Sequence, residues 1–200
     1  MPLSPLDAKP ALVLIDLQRG IVTPPSVPYS GPEVVARCKE LAAAFRARGL
    51  PVVLVNVSFA ADFADLPKGR DEESLAEPDD EDSLPPAGYD VIVEEFGAQD
   101  TDLRVTKHQW GAFHGTDLDT QLRRRGVTQI VLAGITTSRG VDTTAREAYA
   151  HNYSVAFVTD AMADRELVDH EHAIERVFPQ IGERSTTGEV LELLAKEGSQ

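Results

Sequence analysis

The sequence is short of cysteine, of positive charge and of long apolar runs, and each shortage removes a class of protein. A single cysteine, Cys38, among 200 residues excludes an internal disulfide framework and a cysteine-based zinc site. Lysine and arginine number 19 against 33 aspartates and glutamates, a formal net charge of −14. Such a surface lacks the clustered cations that a phosphate backbone requires, so no nucleic-acid partner is expected. No apolar run reaches the ~18 residues of a membrane span, so no membrane partner is expected either. The start, MPLSPLDAKP, has no basic segment followed by an apolar one, which predicts no export signal and a cytoplasmic location. Internal repeats are absent. At ~150 residues per domain the chain fits one domain over residues 1–200. A chain of this size buries roughly 70% of its unfolded surface, enough for a core without staples.

The acidity is local. Between Asp62 and Asp102 lie 15 acids and two bases, Lys68 and Arg70, whereas the rest of the chain holds 18 acids and 17 bases. The stretch at about 60–88 is proline-containing, has few large apolar residues and cannot contribute much core. It reads as a solvated surface loop, or as a subunit-contact arm or flap over a site.

Four nearly continuous apolar runs, ALVLID (11–16), PVVLVNV (51–57), QIVLAGI (129–135) and SVAFVTD (154–160), have the character of strands buried on both faces. DVIVEEF and LRVTKHQ are weaker strand candidates, and a short last strand is expected near Ile181. Helical patterns alternate with them. Ser30 and Glu33 make a capping box before VVARCKELAAAFRARG, which stops at Gly49, and Thr186 with Glu189 caps VLELLAKEG. DLDTQLRRRG, GVDTTAREAYAHN and ELVDHEHAIERVF are the other helices expected. Strands alternating with helices predict a single three-layer α/β domain with a parallel sheet.

Ligands of such folds bind beyond the carboxyl ends of the strands. Asp16, Lys107, the Gly134–Gly140 turn and Asp160 therefore share one expected rim. An acid ending an apolar run is costly unless paired, so Asp16 is either half of a proton-transfer pair with a cation or a cap for the loop Leu17–Gly20. Lys107 is either its partner or a surface residue beside the aromatic cluster His108–His114. Cys38, inside a helix, reads as a buried structural thiol. In Asp169-His-Glu-His172 the two histidines are two apart on a helix and point to different faces, which predicts surface residues rather than a metal site. Arg123–Arg125 suits a helix C-terminus.

The set VLIDLQRG, VTKHQWGAFHGTDLDTQLRRRGV and IVLAGITTSRGVDTTAREAYAHNYSVAFVTDAMAD resembles the isochorismatase-like hydrolase superfamily, from about Ala11 to the C-terminus. The resemblance implies a six-stranded parallel sheet between helices, a small-molecule substrate, no cofactor and no metal, and a homodimer or homotetramer. Members that hydrolyse amides use an Asp–Lys–Cys triad, whose positions fall here on Asp16, Lys107 and Gly140. Gly140 has no side chain to attack with. A nicotinamidase reading also fails, since NVSFAADFADLPKG lacks the metal-binding histidines that those enzymes carry there. Isochorismatases likewise have glycine at the nucleophile position, and their aspartate protonates a vinyl ether. By this likeness Asp16 is the acid and Lys107 its partner. Gln18, Trp110, Phe113, Thr136, Thr137 and Arg139 are the expected substrate-contacting residues, with a cis peptide at Ile135–Thr136. Arg139, where relatives commonly have an aliphatic residue, would bind a substrate carboxylate or face another subunit. The implied reaction is acid-catalysed hydrolysis of a small anionic metabolite. The alternatives are a binding or regulatory relative without turnover, and an amide hydrolase using water activated by Asp16.

Overall fold

The computed structural model describes residues 4–62, 64–66 and 85–197. The apolar runs become strands β1 (Pro10–Ile15), β2 (Val52–Val57), β3 (Leu103–Lys107), β4 (Gln129–Ile135), β5 (Ser154–Ala163) and β6 (Glu183–Ser185). They form one six-stranded sheet in the order β3-β2-β1-β4-β5-β6, parallel throughout. Helices α1 (Arg19–Val22), α2 (Gly31–Ala47), α3 (Leu118–Arg124), α4 (Asp142–Ala150), α5 (Leu167–His172), α6 (Phe178–Ile181) and α7 (Thr187–Glu197) complete the three layers.

The continuous apolar character of the strands follows from two cores. Leu12 and Leu14 of β1 face one core, built with α2 and α7, while Ala11, Val13 and Ile15 face the other, built with α3, α4 and Phe178 of α6. Each strand residue is thus buried whichever way it points. The expected caps are present: the main-chain N–H groups of Ser30 and Thr186 each donate to the glutamate three residues on, at 2.8 Å.

The strand order reverses at β1, whose neighbours are β2 and β4. Chains leave β1 and β4 toward opposite sides of the sheet, which opens a crevice between their carboxyl ends. There the two strands approach closely. Gly134 of β4 has φ 125°, and a Cβ on it would fall 2.2 Å from the carbonyl oxygen of Ile15, so only glycine fits.

Three segments differ from the sequence expectation. DVIVEEF is not a sheet strand: Ile92 bridges Gln18 antiparallel, and Glu94–Phe96 forms a 3-10 turn with Phe96 buried. Its hydrogen-bond partner is the loop after β1, through Arg19 N–H to Val91 O and Val93 N–H to Leu17 O, both 3.0 Å. β5 does not end at Asp160. Leu132 pairs with Phe157 but Gly134 pairs with Met162, so β5 bulges and then resumes to Ala163. Asp160 sits in the bulge and caps α7, accepting from the Thr187 N–H at 2.7 Å and its hydroxyl at 3.0 Å. The segment ELVDHEHAIERVF holds a wide π-type turn at Ala173–Val177 between α5 and α6. Most of the acidic loop expected at about 60–88 lies outside the described residues, but its flanks are clamped together. Ser58 Oγ donates to Asp90 Oδ2 at 2.7 Å, and Phe59 N–H donates to the Tyr89 hydroxyl at 2.8 Å. No helix among the described residues is long and apolar enough to cross a membrane.

Candidate active site

Asp16 is the first residue past β1, at φ 52°, a left-handed conformation that aspartate tolerates better than most residues. Lys107 is the last residue of β3. Although β2 reaches into the sheet between them, the lysine stem is long enough to bring its Nζ 2.8 Å from Asp16 Oδ2. Both are buried, at 5% and 2% exposure. Nζ also donates to the Gln109 carbonyl at 3.1 Å, whereas Asp16 Oδ1 is buried with no hydrogen-bond partner among the described residues. Burial raises the Asp16 pKa to about 6 against the opposing pull of Lys107.

The third position closes on the same pair. Gly140 lies in a wide π-type turn, Thr137–Val141, that opens α4. A Cβ there would stand 2.8 Å from Ile15 Cγ2, 3.2 Å from Asp16 Oδ2 and 3.6 Å from Lys107 Nζ. The place where a nucleophile would project is occupied on every side by the acid, the amine and a core methyl. The peptide Ile135–Thr136 ahead of the turn is cis.

Asp16, Lys107 and Gly140 line one cavity of about 260 Å³, with Trp110, Thr136 and Arg139 also in its wall. Trp110 is 58% exposed at the mouth, and the Arg139 guanidinium lies 5.6 Å from its ring centroid. Three expected contact residues lie elsewhere. Gln18 is fully buried and its amide is engaged with main chain, donating to Val57 O (3.0 Å) and Tyr89 O (3.1 Å) and accepting from Val57 N–H (2.8 Å). It ties the loop after β1 to β2 instead of facing the cavity. Phe113 packs in the core against His151 and Tyr153, with ring centroids 5.1 and 5.7 Å away. Thr137 is buried, its hydroxyl 2.8 Å from His170 Nδ1. His170 is therefore not a surface residue, and its burial lowers its pKa. His172 does face outward.

Arg165, which no sequence motif marks, also lines the cavity. It follows the true end of β5 at Ala163, which the bulge separates from the apolar run ending at Asp160. Phe59, Leu66, Ile21 and Gln109 complete much of the wall. Asp164, buried beside Arg165, accepts from the Ser138 N–H at 2.6 Å and so holds the turn that carries Gly140.

Elsewhere the candidates are inert. Cys38 is buried in α2 with Sγ 3.9 Å from the Ala161 carbonyl, and burial pushes its thiol pKa up, away from the reactive thiolate. A larger depression of about 830 Å³ at the amino ends of the strands has Asp102 in its wall, but that carboxylate is held bidentately by Arg46 at 2.9 and 2.7 Å. No group of metal-ligating side chains occurs among the described residues. The arrangement beside Asp16 offers a buried acid, a cation to tune it and a tightly packed glycine, with no side chain, at the nucleophile position.

Residues 10–189 match the isochorismatase domain family. The chain is 47% identical over 184 residues to the uncharacterized isochorismatase family protein YwoC of Bacillus subtilis strain 168, covering 92% of this chain and 93% of that one. It is 41% identical over 191 residues to its counterpart YecD of Escherichia coli O157:H7, covering 92% and 95%. The structure of an isochorismatase family protein from Burkholderia thailandensis superposes with a TM-score of 0.88 at 46% identity, covering 95% of this chain and 97% of that one. More distant relatives include proteins named isochorismatase and maleamate amidohydrolase.

Proposed function

From the premise that the chain belongs to the isochorismatase family of hydrolases, we propose that it hydrolyses a vinyl ether of a small anionic metabolite by acid catalysis, without a covalent intermediate. The observation that carries this reading is Gly140 against the Asp16–Lys107 pair. Amide hydrolysis through a thiolate needs a sulfur beside its base, and the wall holds glycine there. What the pair can still do is move a proton.

Asp16, neutral below about pH 6, donates its proton to the enol carbon of the substrate. A C–H bond forms, the double-bond electrons are drawn out, and the adjacent carbon becomes an oxocarbenium centre. As Asp16 becomes a carboxylate, the Lys107 ammonium at 2.8 Å stabilises the charge that develops on it. Water adds to the oxocarbenium carbon and returns a proton to Asp16. The resulting hemiketal collapses with cleavage of its C–O bond, releasing a ketone and an alcohol. Thr136 and Gly140 lie in the same wall, beside the space the substrate would fill.

The test is turnover of enol-ether carboxylates against matched amides, followed by ketone release and amine release. The reading expects ketone release, reduced roughly 10²- to 10⁴-fold in Asp16→Asn. Amide turnover, or full activity in Asp16→Asn, overturns it. A protein that binds these compounds with no turnover is instead a binding relative.

A further inference from the structure

The cavity wall contains three cations, Lys107, Arg139 and Arg165, and among the described residues only one carboxylate, Asp16. Lys107 and Asp16 answer each other. Among the described residues, neither guanidinium is answered by an acid in the wall. The two arginines are differently placed: Arg139 is exposed at the mouth, whereas Arg165 is half-buried. Three of the Arg165 N–H groups donate to main-chain carbonyls, Nη1 to Pro24 (3.1 Å) and Pro25 (3.0 Å), and Nη2 to Ile21 (2.8 Å).

Those acceptors are neutral. They orient the guanidinium, and among the described residues no carboxylate bonds to it. Asp164, next in sequence, does not supply the missing charge at hydrogen-bond range. Its Oδ2 accepts from Ser138 N–H at 2.6 Å and its Oδ1 from the main-chain N–H of Arg165 at 2.8 Å. Burial lowers the Arg165 pKa; Asp164 opposes this and Arg139 adds to it. A half-buried cation facing a second cation across a cavity favours an anion between them. The planar guanidinium further selects a group that takes two parallel hydrogen bonds. A loop clip alone would be served by a neutral donor set and would not require a charge on the cavity wall.

We propose that Arg165 anchors a substrate carboxylate, its guanidinium held rigid by the Ile21–Pro25 loop, with Arg139 adding positive charge at the mouth. This rests on the reading of Asp16 and Lys107 as the reaction centre and adds to it the group that fixes the substrate's orientation. The ligand class is a compact carboxylate whose reactive end lies against Asp16 while its anionic end lies against Arg165.

Benzoate and benzamide share ring and shape and differ in charge, so their ratio of affinities reads out charge recognition. Measured by calorimetry on the full chain, benzoate is expected to bind roughly tenfold or more tightly than benzamide. In Arg165→Gln that preference disappears. In Arg165→Lys, which keeps the charge but loses the planar geometry, it shrinks several-fold. Arg139→Gln reduces it less than Arg165→Gln. Because the ratio compares two ligands within one variant, general loosening of the cavity does not mimic the effect. If Arg165→Gln fails to fold, the Arg165→Lys ratio decides. Absence of a carboxylate preference in the wild type, including failure of benzoate to bind, overturns the proposal, as does a preference unchanged in the Arg165 variants. Asp16→Asn separates the two readings. Lost turnover there with an Arg165-independent preference sinks the anchor alone. Retained turnover with an Arg165-dependent preference sinks the acid mechanism alone.

Discussion

Lys107 places its ammonium 2.8 Å from one oxygen of the Asp16 carboxyl and leaves the other, Oδ1, buried without a partner among the described residues. Burial favours the neutral acid, the lysine favours the carboxylate, and burial prevails, setting the pKa at about 6. An acid catalyst must hold its proton, so kcat/KM is expected to fall as pH rises through about 6. A carboxyl carbon titration by NMR should give the same midpoint for Asp16. The stability consequence has a definite sign. A folded-state pKa above the ordinary 3.8 means the folded chain holds this proton more tightly than the unfolded one. That contribution is complete below pH 3.8 and is lost as pH rises through about 6, a dependence absent from Asp16→Asn.

Stranding either member of the pair should cost more than removing both. Asp16→Ala leaves Lys107, at 2% exposure, as a buried cation without its counter-ion, at a cost of about 3–5 kcal/mol. The double variant Asp16→Ala/Lys107→Met is expected to lose less than the sum of the singles, with a coupling of about 1–3 kcal/mol in urea denaturation. Strict additivity would mean that the contact contributes nothing.

Gly140 should reject even one methyl group. The nearest atom to an added Cβ is Ile15 Cγ2 at 2.8 Å, a core methyl with little room to move. Gly140→Ala is expected to destabilise by about 1–3 kcal/mol. Gly188→Ala, with nothing within 4 Å of its Cβ, is the control and should be neutral or stabilising by up to about 1 kcal/mol. Equal effects at the two sites in thermal melts would refute the packing argument.

His170 should make the fold acid-sensitive. Burial lowers its pKa, with Asp164 and Glu171 pulling the other way, and its Nδ1 lies 2.8 Å from the Thr137 hydroxyl. A depressed histidine stabilises the fold above its ordinary 6.5, and that stability is lost as pH falls below it. His170→Gln should therefore show a shallower decline in Tm below pH 6.5 than the wild type. Asp16 pulls the other way in this range, so the comparison between the two proteins, not either curve alone, is the measurement.

The sheet was legible because a parallel strand buried on both faces must be apolar throughout, and QIVLAGI coincides with β4 residue for residue. Asp16 was legible because a polar residue ending such a run needs a physical reason, whereas Lys107, at the end of the mixed and partly exposed strand LRVTK, was legible through the family resemblance. The β5 bulge was not. Asp160 ends an apolar run just as Asp16 does, yet it caps α7, and whether an acid closes a strand or sits in a bulge depends on a helix far along the chain. Gln18, Phe113 and Thr137 escaped for the same reason: their partners Val57, Tyr153 and His170 are distant in sequence. DVIVEEF has strand-like side chains, but hydrogen-bond partners decide strands, and its partner is a loop.

The clamp joining Ser58 and Phe59 to Asp90 and Tyr89 brings both flanks of the acidic excursion to one point. A loop with tethered ends costs the fold closure entropy, which grows only as the logarithm of its length, about 0.6 kcal/mol per doubling. By that scaling, lengthening or shortening the chain between Phe59 and Tyr89 by a few residues is expected to change the closure cost by only a few tenths of a kcal/mol.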